Sequence, residues 1–160
     1  MVNIDMEDKI MEYKITTKSE RETIELAENF EAEKIPGMVI CLNGDLGSGK
    51  TVFTKGFAAA LAIDEVITSP TFNIIKEYIN GEMPLYHMDV YRLEGNIDGT
   101  GITEYFDKDG VTIIEWAEMI EEYLPEERLE IYFKVVGENK RVLKIVPHGS
   151  KYEEICEAVL

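Results

Sequence analysis

The sequence predicts an α/β domain in three layers, with a parallel central sheet flanked by antiparallel strands. Three observations carry that prediction. Met38-Val39-Ile40-Cys41-Leu42 is a short unbroken apolar run, the pattern of a strand buried on both faces of a parallel sheet. A glycine-rich turn follows it and opens into an amphipathic helix. Leu129, Ile131, Phe133 and Val135 alternate, and Val142–Val146 follows after a polar turn, which is the pattern of an antiparallel hairpin.

The elements follow in order. Residues 1–11 are polar and are expected to form a flexible N-terminal segment of a single 1–160 domain. A first strand is expected over Tyr13–Thr16. Ser19-Glu20-Arg21-Glu22 fits a capping box. The helix it opens buries Thr23, Leu26, Ala27 and Phe30 and stops near Ile35, before Pro36-Gly37. A second helix opens at Lys50 and sets Phe53, Gly56, Phe57 and Ala60 on one side. Thr71–Ile79 and Leu85–Met88 read as strands joined through the hairpin signal Asn80-Gly81. Val111–Ile114 is another buried strand, ending at Glu115. A last helix presents Tyr152, Ile155, Cys156 and Val159.

Composition limits the function. The chain has 160 residues, with 16 Lys and Arg against 32 Asp and Glu, a formal net charge of -16. Such a charge disfavours direct binding to DNA or RNA phosphates and to an anionic membrane surface. No apolar run is long enough to span a bilayer, and no signal-peptide pattern opens the chain. Cys41 and Cys156 form no motif and read as buried thiols of a reducing compartment, so a cytoplasmic location is expected. With His87 and His148 they complete no zinc site.

One motif carries chemistry. Gly44-Asp45-Leu46-Gly47-Ser48-Gly49-Lys50-Thr51 matches G-x-x-x-x-G-K-[ST] at every fixed position, between a predicted strand and a predicted helix. Together these predict a P-loop NTPase-like fold. Glycines let backbone N–H groups converge on an anion, and the helix N-terminus adds unpaired donors and partial positive charge. Lys50 supplies a cation for phosphates, Thr51 a hydroxyl for Mg²⁺, and Val52 continues into the helix.

A phosphate site of this type needs a carboxylate at a neighbouring strand end. Asp89 and Glu115 both qualify. Position alone leaves open which serves the metal and which the water; the assignment favoured here puts Glu115 near the metal and Asp89 near the water. Thr68-Ser69-Pro70-Thr71 reads either as a γ-phosphate sensor or as an ordinary proline turn. Of Arg21, Arg92, Arg128 and Arg141, only Arg92 sits beside a site motif, so no arginine finger is evident.

The segments GDLGSGKT, TSPTFNIIKEY, LYHMDVYRL, GITEYF and TIIEWAE, in this order and close to this spacing, resemble the TsaE (YjeE) family. The specific part is His87, Asp89, Tyr91 and Arg92, followed by Ile114, Glu115 and Trp116. The resemblance implies a slow, Mg²⁺-dependent ATPase of tRNA threonylcarbamoyladenosine (t⁶A) biosynthesis, working with TsaB and TsaD and meeting tRNA only through them. It also implies that Lys50 and Thr51 hold phosphates and Mg²⁺, that Asp89 and Glu115 are the site carboxylates, that Thr71 belongs to a switch segment, and that Trp116 lies close to the nucleotide. One departure is Leu93–Gly101, where three glycines weaken the helix usual in the family.

Two other functions compete. A small-molecule kinase shares the motif and the size, but needs several basic groups to clamp its acceptor. In a non-hydrolysing, nucleotide-gated binding module, ATP and ADP states would simply change affinity for a partner, a reading that blends into the family one. A GTPase is disfavoured, since Asn139-Lys140-Arg141-Val142 lacks the Asp of N-K-x-D. Glu118, Glu121, Glu122, Glu126 and Glu127 form either a patch for a basic partner or a solvated face.

Overall fold

The computed structural model describes residues 2–5, 10–70 and 73–160. Its elements are β1 (Val2–Asp5), β2 (Ile10–Thr17), α1 (Glu20–Ala32), β3 (Val39–Gly44), α2 (Lys50–Ala60), β4 (Ile75–Tyr78), β5 (Leu85–Asp89), β6 (Val111–Glu115), β7 (Arg128–Val135), β8 (Arg141–His148) and α3 (Ser150–Val159). One sheet holds all eight strands in the order β1-β2-β8-β7-β3-β6-β5-β4. Pairing is parallel from β7 through β3 and β6 to β5, and antiparallel at both margins. The expected α/β architecture is therefore the observed one.

The larger core lies between the sheet and the α-helices. Phe30 of α1, Phe53 and Phe57 of α2 and Tyr152 of α3 pack there on Ile40, Leu42, Ile113, Ile131 and Ile145. A smaller core on the opposite face gathers Val39, Cys41, Met88 and Ile114 against Ile102, Ala117 and Ile120 of short 3₁₀ segments. β3 is buried along nearly its whole length because both layers cover it. Tyr152 also accepts a hydrogen bond from the Val39 backbone N–H at 2.9 Å, which ties α3 to the start of β3.

Helix starts agree with the sequence reading more closely than strand ends. Ser19 caps α1 by accepting from Glu22 N at 3.1 Å. The reciprocal bond of the capping box goes to Lys18 N, one residue earlier than expected, at 3.0 Å. α1 stops at Ala32, short of Ile35. Of the predicted strand at Thr71–Ile79, the described part pairs over Ile75–Tyr78, and Ile74 just before it takes a left-handed turn (φ 66°); Thr71 and Phe72 lie outside the described residues. The β4–β5 connection is longer than a two-residue Asn-Gly turn: Glu82 N bonds to Leu61 O at 2.8 Å, drawing the loop onto the end of α2. Within the N-terminal segment 1–11, Val2–Asp5 forms a strand that pairs antiparallel with β2, and residues 1 and 6–9 lie outside the described residues.

β7 also has a second role beyond the predicted hairpin. It pairs in parallel with β3 on its other side, so the hairpin is fused to the sheet centre. The Leu93–Gly101 departure resolves into turns. Glu94, Gly95, Gly99 and Gly101 all take positive φ between the 3₁₀ segments Tyr91–Leu93 and Ile102–Asp107.

β7 carries a buried ionic group on the face away from the helices. Glu130 accepts from Arg128 Nε at 2.7 Å and from the Tyr132 hydroxyl, and His148 Nε2 approaches it at 3.4 Å. Burial alone pushes the Glu130 carboxyl up, but these three neighbours outweigh it and hold the pKa at about 2. A depressed carboxylate pKa adds stability above the unfolded-state value, and that stability is lost as pH falls toward the folded value. Glu130→Gln is therefore expected to be less stable than the parent at neutral pH. In urea titrations the difference should shrink as pH drops from about 4.3 toward 2.

Candidate functional site

The site is built where three parallel strands end together. Leu42 of β3 stands opposite Glu115 of β6, and Glu115 stands opposite Asp89 of β5. Paired residues in adjacent strands share a face, so the two carboxylates project side by side at the carboxyl edge of the sheet. The loop from Gly44 to Gly49 leaves β3 at that edge and enters α2.

Backbone geometry explains the loop's glycines. Gly44 has φ +146°, and a Cβ there would lie 2.8 Å from Phe133 O and from Ser48 Oγ. Gly49 caps α2 in the left-handed region at φ 114°. Gly47 has φ +77° but borders open space. Asp45 and Leu46 form the exposed tip, Leu46 being 91% accessible. Ser48 is buried, and its hydroxyl has no partner among the described residues. Such an orphaned hydroxyl beside free helix N–H groups fits a loop made to take an anion.

Lys50 and Thr51 open α2. Lys50 is buried, donates to Gly44 O and to Asp45 O (2.9 Å), and sits 4.1 Å from the centre of the Trp116 ring. Burial pulls the Lys50 pKa down, while the charges of Glu115, Glu118, Asp89 and Asp45 push it back up. Thr51 Oγ1 donates to Glu115 Oε1 at 3.2 Å. The other Glu115 oxygen meets His87 Nε2. Asp89 lies on the far side: its Oδ2 accepts from Ser69 Oγ at 3.0 Å and its Oδ1 from Tyr91 N at 3.1 Å. Leu46, Gly47, Gly49, Lys50, Thr51 and Val52 thus share one cleft of about 360 Å³ with Ser69, Asp89, Glu115 and Trp116. Thr71, expected in a switch segment, lies outside the described residues.

Trp116 takes φ 63°, a left-handed conformation that costs a non-glycine residue about 1 kcal/mol or more. This turn ends β6 and lays the indole against Lys50 on one side, with the Tyr91 ring 4.8 Å away. It also starts a 3₁₀ segment whose Glu118 N–H donates to Asn43 Oδ1 at 3.0 Å. Glu118 is thereby brought near Lys50. Partial burial raises its pKa, Lys50 opposes that rise and Asp45 adds to it.

Sequence reasoning missed three contributors. Arg141, not Arg92, is the arginine at the loop: its Nε donates to Ser48 O at 3.1 Å and its Nη1 to Gly137 O at 3.1 Å. Nothing in the sequence places it there, because the contact depends on β7 pairing with β3 and carrying β8 alongside. Asn139 and Glu138 of the same hairpin turn line the cleft with Ser19 and Thr23. His87 was legible, since H-x-D in a strand puts His87 and Asp89 on one face.

With this geometry in place, the comparisons with known proteins decide the family. The model of the family described as threonylcarbamoyl adenosine biosynthesis protein TsaE matches residues 17–143. The chain belongs to the TsaE family. The tRNA threonylcarbamoyladenosine biosynthesis protein TsaE of Bacillus subtilis is 50% identical over 141 residues, covering 88% of this chain and 89% of that protein. The protein of the same name from Treponema pallidum is 42% identical over 111 residues, covering 68% and 82%. The crystal structure of Bacillus subtilis YdiB superposes with a TM-score of 0.82 at 45% identity, covering 94% of this chain and 95% of that one. The TsaE match takes in the glycine loop, Asp89, Glu115, Trp116 and Arg141.

Gly44→Ala and Gly47→Ala separate close packing from backbone conformation alone. Gly47→Ala is expected to lose about 1 kcal/mol, the ordinary left-handed cost. Gly44→Ala should lose on the order of 2 kcal/mol or more, since Phe133 backbone must also move. Urea denaturation of the two variants measures the difference.

Proposed function

We propose that this protein binds ATP with Mg²⁺ at the Gly44–Thr51 loop, hydrolyses it slowly, and acts with TsaB and TsaD in t⁶A modification, meeting tRNA through that complex. The observation that carries the ATPase reading is the arrangement at the sheet edge: Lys50 and Thr51 at a helix N-terminus, facing Glu115 and Asp89 from adjacent strands. Membership of the TsaE family supports the place in t⁶A biosynthesis, where the relatives' names put them.

Each residue has a role. The loop N–H groups and the α2 N-terminus would bind the β- and γ-phosphates. Lys50 would exchange the Gly44 and Asp45 carbonyls for phosphate oxygens, a better partner for its charge. Thr51 Oγ1 and Glu115 Oε1, a hydroxyl and a carboxylate 3.2 Å apart, are the hard oxygen donors that suit Mg²⁺. When bound, Mg²⁺ would supply charge neutralisation on the β- and γ-phosphates. Asp89, on the opposite side and held by Ser69, would orient the attacking water. Arg141 is committed to loop and turn carbonyls, which supports a low intrinsic rate; a catalytic arginine is worth about 10³-fold or more.

The test is ATP turnover by the purified protein, alone and with the TsaB–TsaD pair. Slow turnover that changes with the pair is expected. Lys50→Ala should reduce it at least about 100-fold, and full activity in that variant would remove the loop from the mechanism. Asp89→Ala is expected to keep ATP binding and lose turnover. If coupling to the pair survives in Asp89→Ala, the nucleotide-gated binding module replaces the hydrolytic reading. Turnover that requires a small-molecule acceptor would instead indicate a kinase.

A further inference from the structure

His87 is fully buried in the parallel part of the sheet, between β4 and β6. A polar ring at such a position has a desolvation cost that an apolar residue would avoid. Its Nδ1 has no partner among the described residues, so nothing on that side offsets the cost. Its Nε2 contacts Glu115 Oε2. An ionised carboxylate can only accept, so Nε2 is the donor.

Glu115 is held at both oxygens: His87 Nε2 takes Oε2 and Thr51 Oγ1 takes Oε1. With Oε2 held from inside the sheet, Oε1 is presented to Thr51.

We infer that His87 is a positioning residue for the Mg²⁺ site: by holding Glu115 Oε2 it fixes Oε1 beside Thr51 as a metal-facing oxygen. This rests on the nucleotide reading given above. Partners of this kind, one step behind a ligand, typically change metal affinity by about 10- to 100-fold when removed.

The experiment is a binding titration of the intact chain with a fluorescent ATP analogue, in EDTA and across a Mg²⁺ series. His87→Leu fills the buried space without a donor, and His87→Gln restores an N–H at similar reach. In His87→Leu the Mg²⁺ concentration giving half of the metal-dependent gain in affinity should rise about tenfold or more. Its affinity in EDTA should stay within about twofold, because loop and Lys50 contacts are intact. His87→Gln should recover most of the Mg²⁺ response. A merely structural histidine would lower thermal stability in both variants and leave the Mg²⁺ midpoint alone; that result, or a Gln variant no better than Leu, overturns the proposal. If His87→Leu does not fold, His87→Asn, whose amide is too short to reach Glu115, takes its place against His87→Gln with the same expected contrast. A parent protein that binds the analogue without any Mg²⁺ dependence overturns the proposal while leaving the nucleotide reading standing. A parent that binds no analogue overturns both.

Discussion

The site depends on the register of three parallel strands. Leu42 opposite Glu115, and Glu115 opposite Asp89, bring the end of β3 and two carboxylates to one line. Slipping β5 or β6 by one residue would turn its acid to the opposite face. The register is held from both sides by burial. Ile40, Leu42 and Ile113 face the helical core, while Val39, Cys41 and Ile114 face the smaller one. A strand with two apolar faces has no solvated face to offer in a slipped register, yet the alignment places its terminal polar residue at the cleft. Packing and chemistry are thus fixed by the same pairing.

The second constraint is electrostatic. Under the proposed reading, a chain of net charge -16 must hold a polyanion in its cleft. It does so with short-range devices rather than with a basic surface. Backbone N–H groups of the glycine loop and of the α2 N-terminus carry partial positive charge that persists only over the first turn. Lys50 is buried, and burial favours its neutral form while four carboxylates favour the charged one. The carboxylates therefore oppose the effect of burial on the lysine, although its pKa remains lowered. Glu118 belongs to that balance, which is why treating it only as one member of an acidic patch understates it.

Most of this was legible in the sequence, and the rest was not for identifiable reasons. The glycine loop, Lys50, Thr51 and the two strand-end acids are local signals: each is set by its neighbours within a few residues, and all line one cleft. Ser19 as a cap is equally local. Arg141 was invisible because its contact with Ser48 O spans more than ninety residues and follows from β7 joining the parallel sheet. The start of β4 at Ile75 follows a left-handed Ile74, which no β-branched residue advertises. The paired N-terminal strand was missed although Val2 and Ile4 alternate with Asn3 and Asp5, because four residues are too short a run to separate a strand from chance.

Arg141 and Lys50 show how the loop is held in shape from two directions. Lys50 binds the carbonyls of Gly44 and Asp45 from inside the cleft, and Arg141 binds the Ser48 carbonyl from the β8 side. In a peptide unit the C=O and N–H point in opposite directions, so fixing the Ser48 carbonyl toward Arg141 turns the Gly49 N–H the other way. The two cations differ in what a bound anion would do to them. Lys50 has one set of carbonyls to exchange and a flexible stem with which to do so. Arg141 is tied at the same time to Gly137 and Lys140 of its own turn, at 3.1 Å each, so moving it would disturb the whole β7–β8 connection. Lys50 is thus tied only to the loop's own carbonyls and the Trp116 ring, and Arg141 to both the loop and its turn. That division links the phosphate-sized loop mechanically to a hairpin at the other side of the cleft.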